Sequence, residues 1–205
     1  MFEFIEDTHK YILDGEEIPC VSEITRFVQR ELYKDSDPCA MEVAADRGTR
    51  VHRACEEIDR TGTVECDPNI SGYVRAYTKF LSEHDVKWDK VEYIIHGSLD
   101  CGEFAGTLDR LGTVDGEKTL LDIKTTSKIT NKHKYLYSLQ MTGYLLGLMN
   151  EPEALPEKIA VLQLQRTGDY KLIYLSREVE GFVACMMLHG GFKFYKNMRS
   201  RKKNG

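Results

Sequence analysis

The chain of 205 residues is 41% hydrophobic and 30% charged with a net charge of −5, a composition typical of soluble globular proteins that excludes wholesale disorder. At about 150 residues per domain, this length predicts a single domain over residues 1–205. No apolar run approaches the about 18 residues of a membrane span, and the acidic N-terminus lacks a secretory signal, so we expect a cytoplasmic protein without a membrane partner.

The first 38 residues predict a hairpin followed by a helix, which together embellish the rest of the domain. Two short runs, Phe2–Ile5 and His9–Leu13, are typical of strands. Asp14-Gly15 predicts the turn of the hairpin. Ser22 is the expected N-cap of a helix that ends near Leu32.

Hydrophobic periodicity divides the remaining residues into helices and strands. Helical spacing predicts helices over residues 40–60, 70–83, 131–149 and 178–199. Alternating or continuous β-rich runs predict strands over residues 91–96, 104–113, 118–125, 158–165 and 170–175. This order predicts the α/β class, with a mixed central β-sheet flanked by helices.

The C-terminal segment 192–205 forms a basic tail. It contains no acidic residue, and it leaves 22 basic side chains against 33 acidic ones in the rest of the chain. Its six basic residues are Lys193, Lys196, Arg199, Arg201, Lys202 and Lys203. Such a tail is either an arm that binds the phosphates of DNA or a solubilising end on the last helix.

The most informative segment is a predicted hairpin around Asp115-Gly116, a strong signal for a two-residue turn. With this turn, Asp109 and Asp122 face each other across two strands, and Lys124 shares their face. Opposed carboxylates repel, and the second strand is apolar on both faces, as buried strands are. Either a divalent cation lies between the two acids, or Lys124 neutralises both of them on an edge hairpin.

These residues resemble the signature of the PD-(D/E)XK nucleases, in which an Asp and an (Asp/Glu)-x-Lys lie on adjacent strands. The proline that precedes the first Asp in the family is absent here. Residues 48–52, Gly-Thr-Arg-Val-His, resemble the upstream helix of the RecB-like branch, in which the His is a metal ligand. Residues 140–144 resemble the Q-x-x-x-Y helix of that branch, and residues 9–22 resemble the N-terminal element of phage-type members. The order and approximate spacing of these motifs agree over residues 9–176.

The resemblance implies a restriction-endonuclease-like core and a metal-dependent deoxyribonuclease. It implies an exonuclease that acts on double-stranded DNA ends in phage-type recombination or repair. DNA is then the partner, and a recombination or single-strand-annealing protein is a further candidate partner. Some RecB-like members carry an iron–sulfur cluster on one upstream and three downstream cysteines, but here only Cys185 lies downstream, so no cluster is expected.

The same resemblance implies roles for particular residues. One or two Mg²⁺ or Mn²⁺ ions would be held by Asp109, Asp122, the backbone carbonyl of Ile123 and His52. Lys124 would contact the attacking water or the scissile phosphate. The additional candidates are Glu56 and Glu92 as ligands, and Gln140 and Tyr144 as residues that position the phosphate or the lysine.

Alternatives remain for each of these assignments. His52 and Glu56 are also spaced as an ordinary surface pair of a helix, and Glu56 is equally suited to orient the imidazole. Glu92 is equally typical of a solvated strand, and Gln140 with Tyr144 of an amphipathic helix face. A structure-specific or nicking endonuclease on the same fold and a non-catalytic DNA-binding module are the alternative functions, because a fold does not determine its substrate.

Overall fold

The structure is a computed structural model that describes residues 1–65 and 67–203, with side chains up to residue 191. The strands are β1 (Phe2–Ile5), β2 (Lys10–Leu13), β3 (Glu16–Ile18), β4 (Val86–Leu99), β5 (Gly102–Val114), β6 (Glu117–Lys124), β7 (Lys158–Leu164) and β8 (Tyr170–Tyr174). The α-helices are α1 (Val21–Ile24), α2 (Arg26–Leu32), α3 (Pro38–Thr61), α4 (Ser71–Glu83), α5 (Asn131–Gly147) and α6 (Val179–Lys203).

The central sheet has five strands in the order β4-β5-β6-β7-β8. All neighbouring pairs are antiparallel except β6 and β7, which are parallel and are connected through α5. Parallel neighbours need such a crossover, and a helix is the usual one. The predicted mixed sheet flanked by helices is therefore confirmed.

Within the described residues, two large apolar cores cover the two faces of this sheet, and a smaller cluster consists of Leu136, Tyr137 and Val161. On one face, α1, α5 and α6 pack against the sheet through residues such as Val21, Leu139 and Phe182. On the other face, α3 and α4 pack through residues such as Val51 and Phe80. The strands between these layers are buried from both sides, so any charged group on them must find its partners inside the protein.

The N-terminal segment forms a separate three-stranded sheet, β1-β2-β3, that packs beside β5. The predicted turn at Asp14-Gly15 is confirmed, and both residues have positive φ angles, as a tight hairpin turn requires. The segment is attached to the central sheet by a backbone hydrogen bond from Ala105 N to Pro19 O of 3.0 Å and by the hydroxyl groups of Tyr11 and Thr107, which lie 2.8 Å apart.

The predicted helix after this sheet is interrupted, and its predicted cap is wrong. Cys20 is the N-cap of α1, and its backbone N–H donates to Glu23 Oε2 at 3.2 Å. Ser22 lies inside the first turn, because the chain turns two residues earlier, directly after Pro19. The helix breaks at Thr25, whose hydroxyl donates to the carbonyl of Val21 and thereby competes with regular helix geometry.

Among the described cysteines, which exclude Cys66, none forms a disulfide. The helices within the described residues include none that is both long and apolar enough to cross a bilayer. The six basic residues of the predicted tail belong to α6 by their backbone, but their side chains lie outside the described residues.

Candidate active site

The candidate site lies where β5 and β6 separate. Asp115 and Gly116 have φ angles of 52° and 84°, and they form the predicted two-residue turn. The register is the predicted one, and its last ladder pair is Arg110 with Leu121. Beyond this pair, the backbone N–H of Ile123 no longer donates to a β5 carbonyl. It donates instead to the side chain of Asp109, whose Oδ2 accepts this hydrogen bond at 2.8 Å. Asp109 and Asp122 therefore occupy the point of separation rather than a regular cross-strand pair.

His52 reaches this point from α3. One ring nitrogen, Nε2, lies 2.8 Å from the carbonyl oxygen of Ile123. The other, Nδ1, lies 3.3 Å from Asp109 Oδ2. Both ring nitrogens thus face oxygen acceptors, which suits the doubly protonated imidazolium in the absence of a cation.

Glu92 enters the site from the edge strand β4. Ligand atoms of Glu92, His52 and Asp109 all lie within 4.8 Å of one another, which is close enough to share one metal ion. Glu92 has a φ of 46°, in the left-handed region that costs a residue other than glycine about 1–3 kcal/mol. Such strain inside a strand is typical of functional sites, where a side chain has to point in a defined direction.

Asp122 and Lys124 form an ion pair at the inner side of the site. Lys124 Nζ lies 2.5 Å from Asp122 Oδ2, and the Asp122 side chain is 4% exposed. The same oxygen has no well-aligned hydrogen bond. The ammonium group also lies 5.2 Å from the ring centroid of Tyr137 on α5, a cation–π distance that holds the lysine over the site.

The electrostatics of Asp109 and His52 are those of an ion pair. Burial by itself raises the pKa of Asp109, but the charge and hydrogen bond of His52 outweigh it and lower the pKa to about 2. Burial lowers the pKa of His52, but the Asp109 carboxylate outweighs this effect and raises the pKa to about 9. Without a cation, the site therefore holds a proton on His52, and a metal that binds the imidazole must displace it.

The other acidic groups of the site are difficult to ionise. Burial raises the pKa of Glu92 to about 7, and the Asp109 carboxylate contributes to this rise. Burial also raises the pKa of Asp122 to about 6, against the opposing charge of Lys124. Burial lowers the pKa of Lys124, but the carboxylates of Asp122 and Asp109 outweigh it and raise the pKa. A divalent cation would favour the ionised form of each carboxylate.

Gln140 and Tyr144 lie together on α5, as their spacing predicts. Gln140 Nε2 donates a hydrogen bond of 3.0 Å to the hydroxyl of Tyr144. Burial raises the pKa of Tyr144 well above its usual value, and the charges of Asp122 and Asp109 contribute, which indicates that the phenol faces the candidate site. The ring packs on Gly106, where a Cβ atom would come within 2.8 Å of it.

Of the remaining predicted residues, the Ile123 carbonyl lies in the site and accepts from His52. Glu56 lies one turn after His52 on α3, and no hydrogen bond or ion pair joins it to another described side chain.

Sequence reasoning missed two residues that border the site. Arg110 directly follows Asp109, yet it is completely buried and donates to Glu92. The only feature of the sequence that could have pointed to Arg110 is its position directly after Asp109. Tyr33, at the end of α2, packs beside His133 and Tyr137, a long-range contact that periodicity does not reveal.

The donor set fits a hard divalent cation. It combines one imidazole with two carboxylates, and oxygen-rich sets of this kind suit Mg²⁺ and Mn²⁺.

Comparison with known proteins agrees with this geometry. A family model of the PD-(D/E)XK nuclease superfamily matches residues 69–184, which is more than half of the chain and includes Asp109, Asp122 and Lys124. The chain belongs to the PD-(D/E)XK nuclease superfamily. His52 lies outside the matched range, so its assignment depends on the contacts described above.

Two solved structures resemble the chain at low identity. One is the crystal structure of SSO0001, with 13% identity over 85% of this chain and 75% of that chain and a TM-score of 0.49. The other is an alkaline exonuclease, LHK-Exo, from Laribacter hongkongensis, with 15% identity over 80% of this chain and 100% of that chain and a TM-score of 0.40. A search of curated proteins found no match.

Proposed function

We propose that the chain is a deoxyribonuclease that depends on Mg²⁺ or Mn²⁺ and degrades double-stranded DNA from its ends. The observation that carries the proposal is the convergence of His52, Glu92 and Asp109 within 4.8 Å, beside the Asp122–Lys124 ion pair. Phosphodiester hydrolysis needs a deprotonated water and neutralisation of the developing negative charge, and these groups can provide both.

In this proposal His52, Glu92 and Asp109 hold the cation, which would polarise the phosphate and lower the pKa of the attacking water. Lys124 stabilises the negative charge that develops on the phosphate. Asp122 orients the Lys124 ammonium, which it contacts at 2.5 Å. The hydrogen-bonded amide and phenol of Gln140 and Tyr144 orient the phosphate or the lysine from α5.

The preference for DNA ends is the finer part of the proposal. It rests on the resemblance of the 140–144 helix and the 9–22 segment to RecB-like and phage-type exonucleases, which also suggests a role in phage recombination or repair and a recombination or single-strand-annealing protein as partner. An imidazole among the ligands favours Mn²⁺ as an alternative to Mg²⁺, because Mg²⁺ prefers oxygen and water.

The decisive experiment compares linear and covalently closed circular duplex DNA in Mg²⁺, in Mn²⁺ and in EDTA. We expect the linear duplex to be degraded in either metal, the closed circle to persist, and EDTA to stop the reaction. Lys124→Met is the matched inactive variant, which excludes a contaminating nuclease. Cleavage of the closed circle would instead indicate an endonuclease, and binding without any cleavage would indicate a DNA-binding module.

A further inference from the structure

Arg110 is a buried cation directly behind the candidate metal site. Its side chain is completely buried within the described structure. Its Nη1 donates to the carbonyl oxygen of Asp109 at 2.8 Å and to Glu92 Oε1 at 3.2 Å. One guanidinium nitrogen thus contacts two of the three residues whose ligand atoms converge in the site.

The guanidinium is anchored from the opposite side by α3 and α4. Arg110 Nε donates to Asp59 Oδ2 at 2.6 Å, and this carboxylate is 6% exposed. The second oxygen of Asp59 accepts from the hydroxyl of Tyr77 at 2.6 Å. Trp88 on β4 donates to the same hydroxyl at 3.1 Å. Two helices and two strands therefore fix the guanidinium in one orientation.

Stability alone does not account for this arginine. A buried ion pair is often neutral or unfavourable when it is compared with apolar residues of similar volume. In addition, Nη2 makes no well-aligned hydrogen bond in the described structure, so its burial is only partly compensated. A fixed positive charge this close to a divalent cation also repels it. The contacts of Arg110 must therefore have a functional benefit that offsets the incompletely compensated burial of the guanidinium and its repulsion of a bound cation.

This benefit is the orientation of the Glu92 carboxylate. The backbone of Glu92 has a φ of 46° inside β4, so its side chain leaves the regular alternation of the strand. Arg110 holds the displaced carboxylate while Asp59 holds Arg110. Only a planar guanidinium can donate to Asp59 through one nitrogen and to Glu92 through another, and the single ammonium of a lysine cannot.

We propose that Arg110 is a positioning residue that fixes Glu92 next to His52 and Asp109, so that the three side chains form one divalent-cation site. This inference rests on the proposed function, because it requires a cation at those three residues. Asp59 and Tyr77 are the anchor, and they act on the site only through Arg110.

The test measures Mn²⁺ binding to the full chain by calorimetry, without DNA. We expect Glu92→Gln to weaken binding about tenfold, as the loss of a ligand or of its support commonly does. Arg110→Lys keeps the positive charge near Asp59 but loses the second donor, and we expect a similar weakening. In the Arg110→Lys background, Glu92→Gln should then add less than about a threefold further loss, because Glu92 is already misplaced. Glu42→Gln, on the exposed part of α3, is the matched control and should bind like the wild type.

A second variant separates positioning from charge and from folding. Asp59→Leu with Arg110→Met removes both charges of the pair, a replacement that buried ion pairs commonly tolerate. If Arg110 acted only through its charge, Mn²⁺ would bind more tightly to this variant, whereas positioning predicts weaker binding.

Unchanged or tighter binding by both Arg110 variants would overturn the inference, as would a full tenfold effect of Glu92→Gln in the Arg110→Lys background. A wild type that binds no Mn²⁺ would overturn the proposed function and this inference together. A wild type that binds Mn²⁺ but cleaves no DNA would refute the nuclease proposal alone.

Discussion

Individual residues in this site are held by partners that also determine their charge. Asp109 is tied to His52 and to Ile123 N, which keeps its pKa at about 2. Asp122 is more deeply enclosed, and burial raises its pKa to about 6 although Lys124 lies 2.5 Å away. Two neighbouring aspartates therefore differ in their environment, one being stabilised as an anion and the other only partly so.

The first prediction concerns Asp122. Asp122→Asn should reduce DNA cleavage at least about a hundredfold in either metal, because it removes the group that orients Lys124. The same substitution leaves the partly buried ammonium without its charged partner, so the Tm in EDTA should not rise and is expected to fall. The measurements are turnover on linear duplex and thermal unfolding by circular dichroism.

The double variant Asp122→Asn with Lys124→Met is the control for that effect on stability. It removes both charges, so its Tm should recover towards that of the wild type while cleavage stays absent. Full activity of Asp122→Asn would refute the role of Asp122.

The second prediction concerns His52, whose assignment depends on its contacts with Asp109 and Ile123. His52→Ala should weaken Mn²⁺ binding about tenfold or more, equivalent to about 1.4 kcal/mol. Mg²⁺ binding should weaken less, since imidazole contributes less to a magnesium site. Glu42→Gln, on the exposed part of the same helix, is the matched control. If the binding isotherms of His52→Ala superimpose on those of the wild type, His52 is not a metal ligand and has only a structural role.

At the scale of elements, local signals were reliable where short-range chemistry determines the structure. Asp115-Gly116 predicted the turn and register of β5 and β6, because both turn residues must adopt positive φ angles. The strand over residues 91–96 was predicted too short. β4 begins at Val86, and its first half is charged and lies at the edge of the sheet, where no apolar alternation is required.

The site itself was predictable in its motif residues but not in its support. Asp109, Asp122 and Lys124 follow from the hairpin and the resemblance. Arg110 did not, because an arginine on a strand is normally exposed, and its burial depends on Asp59, which is 51 residues away in the sequence. Such contacts are determined by tertiary packing, which no local pattern encodes.

The third prediction concerns the tip of this hairpin. Asp115 Oδ2 contacts His84 Nδ1 at 2.6 Å, and Oδ1 accepts from Asp85 N at 3.0 Å. The hydrogen bond from His84 and that from Asp85 lower the pKa of Asp115. Because the folded-state pKa lies below the unfolded value of about 3.9, this contribution to stability is present above that pH and is lost as the pH falls through the folded-state pKa.

Asp115→Asn tests this contribution without disturbing the turn, since Asn accepts positive φ as readily as Asp and keeps an oxygen for Asp85 N. At pH 6 the variant should melt below the wild type, by at most about 4 °C for an exposed pair. The difference should disappear as the pH falls below the folded-state pKa of Asp115, where the carboxyl group is protonated in both states. A difference in Tm that stays constant over the whole acid range in which both proteins fold would assign the effect to the turn rather than to the charge.

Within the described part of the molecule, the two large apolar cores enclose a charged seam. The cores lie on opposite faces of the sheet, and the buried charges of Asp109, Arg110 and Asp122 lie between them at the separation of β5 and β6. Buried charges of this kind oppose stability, so the apolar layers on both sides carry the fold. At this seam the sequence reveals the motif residues Asp109 and Asp122 but not the burial of Arg110, because the seam departs from the packing rules that the rest of the fold follows.

The last prediction concerns the distribution of charge over the molecule. The chain has a net charge of −5, and its DNA substrate is a polyanion, so long-range attraction must come from a local excess of positive charge. The segment 192–205 carries six basic side chains and no acidic one.

A chain that ends after Met198 lacks Arg199, Arg201, Lys202 and Lys203. If these residues neutralise duplex phosphates, the slope of log binding constant against log salt should decrease by about 0.9 for each phosphate that the shortened chain leaves unpaired. Binding should be measured in Ca²⁺ with Lys124→Met, which prevents cleavage, and the full-length chain with the same four residues changed to Gln controls for length. Parallel slopes for all three proteins would show that the tail only solubilises the C-terminus.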